Sequence, residues 1–202
     1  MRRILYTLTL LAVLCSPSFA DWTRVAESVR PLQAVNSKTG ELSNICTATS
    51  INKAKGYWLT AAHCVQQPTF IQTEETVTEA SDTTLDIAVL STPLLRVKAL
   101  KLQKNAPKVG QRILMVGHPL GLAALLFQGT IASLSTSLPD SNAPFALFDM
   151  TACGGNSGSS VVSSKDEIVS ILQIGLGGRP CMSLSGGAPW AVLVKFIEKY
   201  VG

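Results

Sequence analysis

The stretch TACGGNSGSSVV, Thr151 to Val162, places one serine, Ser157, between Asn156 and Gly158, with Cys153, Gly154 and Gly155 just before it. Glycine loses more conformational freedom on folding than any other residue, so a cluster of it marks a backbone that must turn unusually or let another chain approach closely. A serine that attacks a carbonyl needs an exposed oxygen and backbone N–H groups aimed at the oxyanion that develops. Flanking glycines allow both. The same letters also suit a plain Gly-Ser hairpin loop, so this stretch has meaning only beside the rest of the chain.

Two other stretches bear on it. In WLTAAHCV, Trp58 to Val65, an apolar run ends in two alanines, then His63 and Cys64. Small residues let other segments reach the imidazole, and the cysteine can anchor the turn that carries it. In DTTLDIAVLS, Asp82 to Ser91, Asp86 opens the apolar run Ile87–Leu90. A carboxylate against such a strand is partly buried and needs a partner. Alone, His63 reads as a structural histidine and Asp86 as a strand-start residue. Together, His63, Asp86 and Ser157 stand in the chain order of one type of nucleophile–base–carboxylate constellation. Asp82 is the alternative carboxylate.

Around these stretches the chain is written in short apolar runs separated by turn residues. ICTATSI, YWLTA, IAVLS, RILMVG, GTIASL, FALFDM, SSVVSS, IVSILQIG and WAVLV read as strands. Only VKFIEKYV has helical spacing, with Val194, Ile197 and Val201 on one face. The pattern predicts an all-β sandwich or barrel. The lysine-bearing segment from Arg96 to Gly110 reads as a solvated connector between two β halves.

TAAHC, DIAVL and GNSGSSV resemble the chymotrypsin-fold, trypsin-like serine proteases. VGQRILMVGHPLGL resembles the segment that leads into the second barrel's active-site loop in bacterial Htr/Deg-type proteases, here without a PDZ segment. The resemblance implies two six-stranded antiparallel β-barrels, residues about 21–100 and 108–202, with a C-terminal helix. It implies a serine endopeptidase with Ser157 as nucleophile, His63 as general base and acid, and Asp86 as its orienting carboxylate. The N–H groups of Gly155 and Ser157 are the implied oxyanion hole. A protein or peptide is the implied substrate, and no metal or organic cofactor is required. The rival reading is an inactive protease-like binding protein that uses the same cleft.

The chain departs from the family at several points. Asn156 stands where digestive-type relatives carry an aspartate that pairs with a new N-terminus, so no activation of that kind is expected. Ser159 and Ser160 replace a common Gly-Pro. Thr151, six residues before Ser157, is expected at the base of the specificity pocket, with Gln173 and Gly175 supplying its wall. Thr151 carries no charge, so the expected preference is for small to medium apolar residues before the scissile bond. His118 reads as a loop residue near the active-site mouth.

Residues 1–20 combine Arg2 and Arg3, an apolar run to Cys15, and small residues at Ser18 and Ala20. They read as a signal peptide cleaved after Ala20, which predicts export to the periplasm or beyond and a mature chain off the membrane. Removal of Arg2 and Arg3 lowers a formal charge of only +4, so neither nucleic acid nor an anionic surface is an expected partner. Four cysteines then remain, Cys46, Cys64, Cys153 and Cys181, which in an exported chain suggests two disulfides with three possible pairings. The family resemblance implies Cys46–Cys64 and Cys153–Cys181.

Overall fold

A computed structural model describes residues 22–139, 141–177 and 180–201; the signal-peptide reading of residues 1–20 lies outside them. After a short helix α1 (Trp22–Glu27), seven strands form the first sheet: β1 (Val29–Val35), β2 (Leu42–Asn52), β3 (Tyr57–Thr60), β4 (Thr69–Ile71), β5 (Glu74–Glu75), β6 (Val77–Asp82) and β7 (Ile87–Ser91). Seven more form the second: β8 (Lys101–Leu102), β9 (Arg112–Gly117), β10 (Leu125–Thr136), β11 (Phe145–Cys153), β12 (Ser160–Ser163), β13 (Glu167–Gly175) and β14 (Cys181–Gly187). Helix α2 (Trp190–Tyr200) follows.

The first sheet runs β5-β4-β1-β2-β3-β7-β6 and the second β12-β9-β10-β11-β14-β13-β8, with β12 also pairing β13. That extra pairing closes the second sheet into a six-stranded antiparallel barrel. The seventh strand, β8, is a two-residue parallel addition to β13. In the first sheet the supernumerary strand is the equally short β5. The architecture is the expected pair of barrel-like sheets with a terminal helix.

Period-two alternation explains why so many strands are apolar without interruption. Successive side chains leave opposite faces of a strand. On β9, Ile113 and Met115 fill the second barrel with Phe148, Met150 and Val161, whereas Leu114 and Val116 join the seam between the barrels. On β3, Trp58 fills the first barrel beside Leu32, Ile71 and Leu90, and Leu59 turns to the seam. Each such side chain contributes about 1.5–3 kcal/mol on full burial. Strands buried on both faces lose the polar half of the usual pattern, and the two barrels are joined by an apolar layer.

The run WAVLV differs from its strand reading. It is the first turn and a half of α2, which starts after Pro189. Leu193 and Phe196, one helical turn apart, are the buried pair, with Val192 and Ile197 packed beside them. Docking on the seam at helical spacing overrides the β-propensity of valine and tryptophan. The connector from Arg96 to Gly110 holds only β8 and buries Leu100.

Candidate active site

His63 follows β3 on a single 3-10 turn, Ala62–Val65. The turn is pinned from below by a disulfide from Cys64 to Cys46 on β2. This leaves the imidazole 42% exposed at the mouth of the seam. Asp86 arrives from the loop ahead of β7 in the left-handed backbone region, φ +52. Its carboxylate grips the His63 residue twice: Oδ1 accepts the backbone N–H at 2.8 Å, and Oδ2 lies 2.8 Å from Nδ1. An ionised carboxylate can only accept, so Nδ1 carries the proton and Nε2 is the basic nitrogen. Asp82, the alternative carboxylate, is occupied elsewhere, its Oδ1 accepting the N–H groups of Thr84 and Leu85.

What holds Asp86 in place comes from the other barrel. Gln173, on β13, donates its amide Nε2 to the carbonyls of Leu85 at 2.7 Å and Asp86 at 2.9 Å. Gln173 therefore faces Asp86 and not the pocket wall expected for it. Leu172 and Ile174, on either side of it at an irregularity in the β13–β14 register, line the cavity beside Ser157.

Ser157 lies across the seam from the His63 turn. Its carbonyl oxygen accepts the Thr47 N–H at 2.9 Å and sits 3.9 Å from Cys64 Sγ. Ligand-type atoms of Cys46, His63 and Cys64 fall within 4.8 Å of one another. The two sulfurs are bonded to each other, which leaves no thiolate to bind a metal.

The glycines around Ser157 divide into those that are forced and one that is not. Gly155 has φ +94, and a Cβ there would lie 2.6 Å from the His118 carbonyl oxygen. Gly158 has φ +83, and a Cβ there would lie 2.2 Å from Thr60 Oγ1 and 2.3 Å from the Thr47 carbonyl oxygen. A Cβ on Gly154 would meet nothing within 4 Å. Its carbonyl accepts the Leu120 N–H at 2.7 Å, and that of Asn156 accepts the Ser159 N–H at 3.0 Å. The C=O and N–H of a trans peptide point opposite ways. Gly155 N–H and Ser157 N–H are thus turned away from those donors, and among the described residues neither has a hydrogen-bond partner.

Beside Ser157 is a cavity of about 160 Å³ lined by Ala152, Leu172, Ile174, Gly175, Pro180 and Met182, with the Cys153 and Gly154 backbone at its edge. The second disulfide, Cys153–Cys181, ties that edge to β14. Thr151, expected at the base, is exposed instead. An irregularity in the β11–β14 register between Asp149 and Ala152 precedes this wall, and Ala152 is the residue that turns inward. A larger groove of about 560 Å³ continues past Asp86 along Ile174 and Leu176 to Leu138, Pro139 and Phe145.

His118 is 9% exposed, with Nε2 buried and without a partner among the described residues. Burial lowers its pKa, the Leu122 backbone opposes this, and the charge of Arg30 adds to the lowering. The sequence reading also missed Thr47, whose bonds reach across the seam, and Thr60, which donates to the Thr47 carbonyl within the first sheet; neither carries a local signature.

A family model described as trypsin-like peptidase domain matches residues 46–171. A probable periplasmic serine endoprotease, DegP-like, from Ectopseudomonas mendocina (strain ymp) is 30% identical over 159 residues, 74% of this chain and 34% of that protein. Its counterpart from Buchnera aphidicola subsp. Baizongia pistaciae (strain Bp) is 27% identical over 148 residues, 67% of this chain and 31% of that protein. The chain thus spans about a third of the length of these curated relatives. Among solved structures, the HtrA-type protease AlgW with tripeptide superposes with a TM-score of 0.75 at 20% identity, covering 88% of this chain and 61% of that one. The match over residues 46–171 spans more than half of the chain and includes His63, Asp86 and Ser157, so the protein belongs to the trypsin-like peptidase family and has the chymotrypsin-like fold of HtrA-type proteases.

Proposed function

We propose that this chain is an exported serine endopeptidase that works through an acyl-enzyme. The observation that carries the reading is the double grip of Asp86 on His63, which presents Nε2 as a base at the seam where Ser157 lies. Ser157 Oγ attacks the scissile carbonyl carbon while Nε2 takes its proton. The C–N bond then breaks, and the imidazolium returns the proton to the leaving amine. A water activated by the same nitrogen hydrolyses the ester. Asp86 keeps the tautomer and stabilises the imidazolium. The unpartnered N–H groups of Gly155 and Ser157 receive the oxyanion.

The cavity beside Ser157 takes the side chain before the scissile bond. Among the described residues its side chains are uncharged, and although main-chain polar groups share its surface, the small volume and the Ala152, Leu172, Ile174 and Met182 side chains favour small to medium apolar residues over Lys or Arg. The groove beyond Asp86 takes the preceding residues of an extended polypeptide, paired along β13 as an added strand. Export to the periplasm is supported by the leader-like residues 1–20 and by relatives named periplasmic.

The test is labelling of the folded protein by a fluorophosphonate, together with hydrolysis of a peptide library. Labelling that disappears in Ser157→Ala and His63→Ala supports the reading. A folded wild type that neither labels nor cleaves overturns it in favour of a binding module.

A further inference from the structure

Thr47, on β2 next to the disulfide cysteine Cys46, uses every polar atom it has, and three of its four bonds cross the seam. Its N–H donates to the Ser157 carbonyl at 2.9 Å, and its carbonyl accepts from Thr60 Oγ1 at 2.9 Å. Its hydroxyl donates to the Gly155 carbonyl at 2.9 Å and accepts the His118 N–H at 3.0 Å. The residue is completely buried.

From this geometry we propose that Thr47 is the positioning residue for the oxyanion donors, a role that rests on the reading of Ser157 as nucleophile. Thr47 holds the carbonyls of residues 155 and 157, and therefore the planes of the peptides 155–156 and 157–158. The peptide between them, 156–157, carries the Ser157 N–H. The peptide before them, 154–155, carries the Gly155 N–H and is held by Leu120. Leu120 belongs to the same segment as His118, whose N–H the Thr47 hydroxyl accepts. One hydroxyl from the first barrel thus joins the oxyanion backbone to the loop that braces it from behind. Without that hydroxyl the Gly155 carbonyl and the His118 N–H are both left buried and unpaired, and either peptide can rotate to find a partner. Rotation of the 155–156 peptide turns its chain neighbours 154–155 and 156–157 with it and takes a donor off the oxyanion, an interaction that forms only in the transition state. Misplacement of a reacting group by about 1 Å costs on the order of 10²-fold in rate.

The decisive experiment compares wild type, Thr47→Val, Thr47→Ser and Thr60→Val in the full chain. Each is assayed for amide hydrolysis of an apolar peptide, inhibition by a peptide boronate and thermal melting. Thr47→Val is expected to lower kcat by about 10²-fold at nearly unchanged KM, and to weaken the boronate in proportion. Thr47→Ser restores both. Thr60→Val, which removes only the bond to the Thr47 carbonyl, lowers the melting temperature and keeps kcat. If Thr47→Val does not fold, Thr47→Ser and Thr47→Ala replace it as a pair that differs by the hydroxyl alone. Wild-type kcat in a folded variant without the hydroxyl overturns the proposal, as does an equal loss in Thr60→Val. A wild type inert to fluorophosphonate instead overturns the protease reading on which the proposal rests.

Discussion

The Gln173 side chain leaves the second barrel and donates to the main-chain carbonyl of Asp86 at 2.9 Å, in the first barrel. The residue it holds has φ +52, a backbone conformation that costs an L-residue about 1–2 kcal/mol. The strain is tolerated because the left-handed turn presents both carboxylate oxygens to His63. Gln173→Ala leaves two part-buried carbonyls, Leu85 and Asp86, without their donor, a loss of about 1 kcal/mol for each hydrogen bond. The expected result is a fall in kcat/KM of at least about 10-fold, because the Asp86 carboxylate is no longer held squarely against His63. A Gln173→Ala protein with a lower melting temperature but wild-type kcat/KM would confine Gln173 to stability.

Asp86→Asn keeps an acceptor for the His63 N–H but can donate to Nδ1, which reverses the tautomer. In the related triad this exchange lowers kcat by about 10⁴-fold. The same order of loss is expected in steady-state hydrolysis, with KM little changed. Asp82→Ala removes the acceptor of the Thr84 and Leu85 N–H groups and should cost stability, read by melting, with kcat retained.

Gly158→Ala sets a methyl against Thr60 Oγ1 and the Thr47 carbonyl, at a positive φ, and no flexible side-chain end is there to yield. Loss of folding or of all activity is expected. Gly154→Ala meets open space. It should fold with a melting temperature close to wild type, and the added methyl at the cavity rim should alter the peptide-library profile.

The two bridges differ in what they hold. Cys46–Cys64 spans 18 residues and carries the His63 turn; Cys153–Cys181 spans 28 and carries the pocket edge. Each contributes about 2–4 kcal/mol. Replacing both members of the first pair by serine should lower kcat, because the histidine loses its anchor. Replacing the second pair should mainly raise KM and relax selectivity. Steady-state kinetics at a temperature below both melting transitions separates the two.

His118 makes stability depend on pH. Burial and Arg30 hold its folded pKa below the ordinary histidine value of 6.5, against the Leu122 backbone, which raises it. As pH falls through 6.5 the unfolded chain takes up the proton first, so stability falls, and the loss is complete below the folded pKa. Above 6.5 both states are neutral and no penalty remains. The wild type should therefore lose melting temperature between neutral pH and pH 5, and His118→Gln should flatten that slope.

Much of the candidate site is legible in one dimension because its parts are local. Small residues before His63, a carboxylate opening an apolar strand and glycines flanking Ser157 are each a few residues long, and the four cysteines beyond residue 20 form the two bridges that the family resemblance implies. Local reasoning failed at Thr151 and Gln173. Their positions depend on a register shift in β11 and on which face of β13 meets the other barrel, and neither is encoded within a few residues. WAVLV failed for a related reason: valine and tryptophan favour strands, but docking on the seam favours the helix.

The order of residues along the chain determined the alternation of buried faces, the turns that only glycine permits and the identity of the groups able to do chemistry. The packing of one barrel on the other decided their partners: Thr47 with Gly155, 108 positions apart, and Gln173 with Asp86, 87 apart. Hydrogen bonds act over about 3 Å, so contacts between such distant residues exist only after hydrophobic burial has brought the two sheets together.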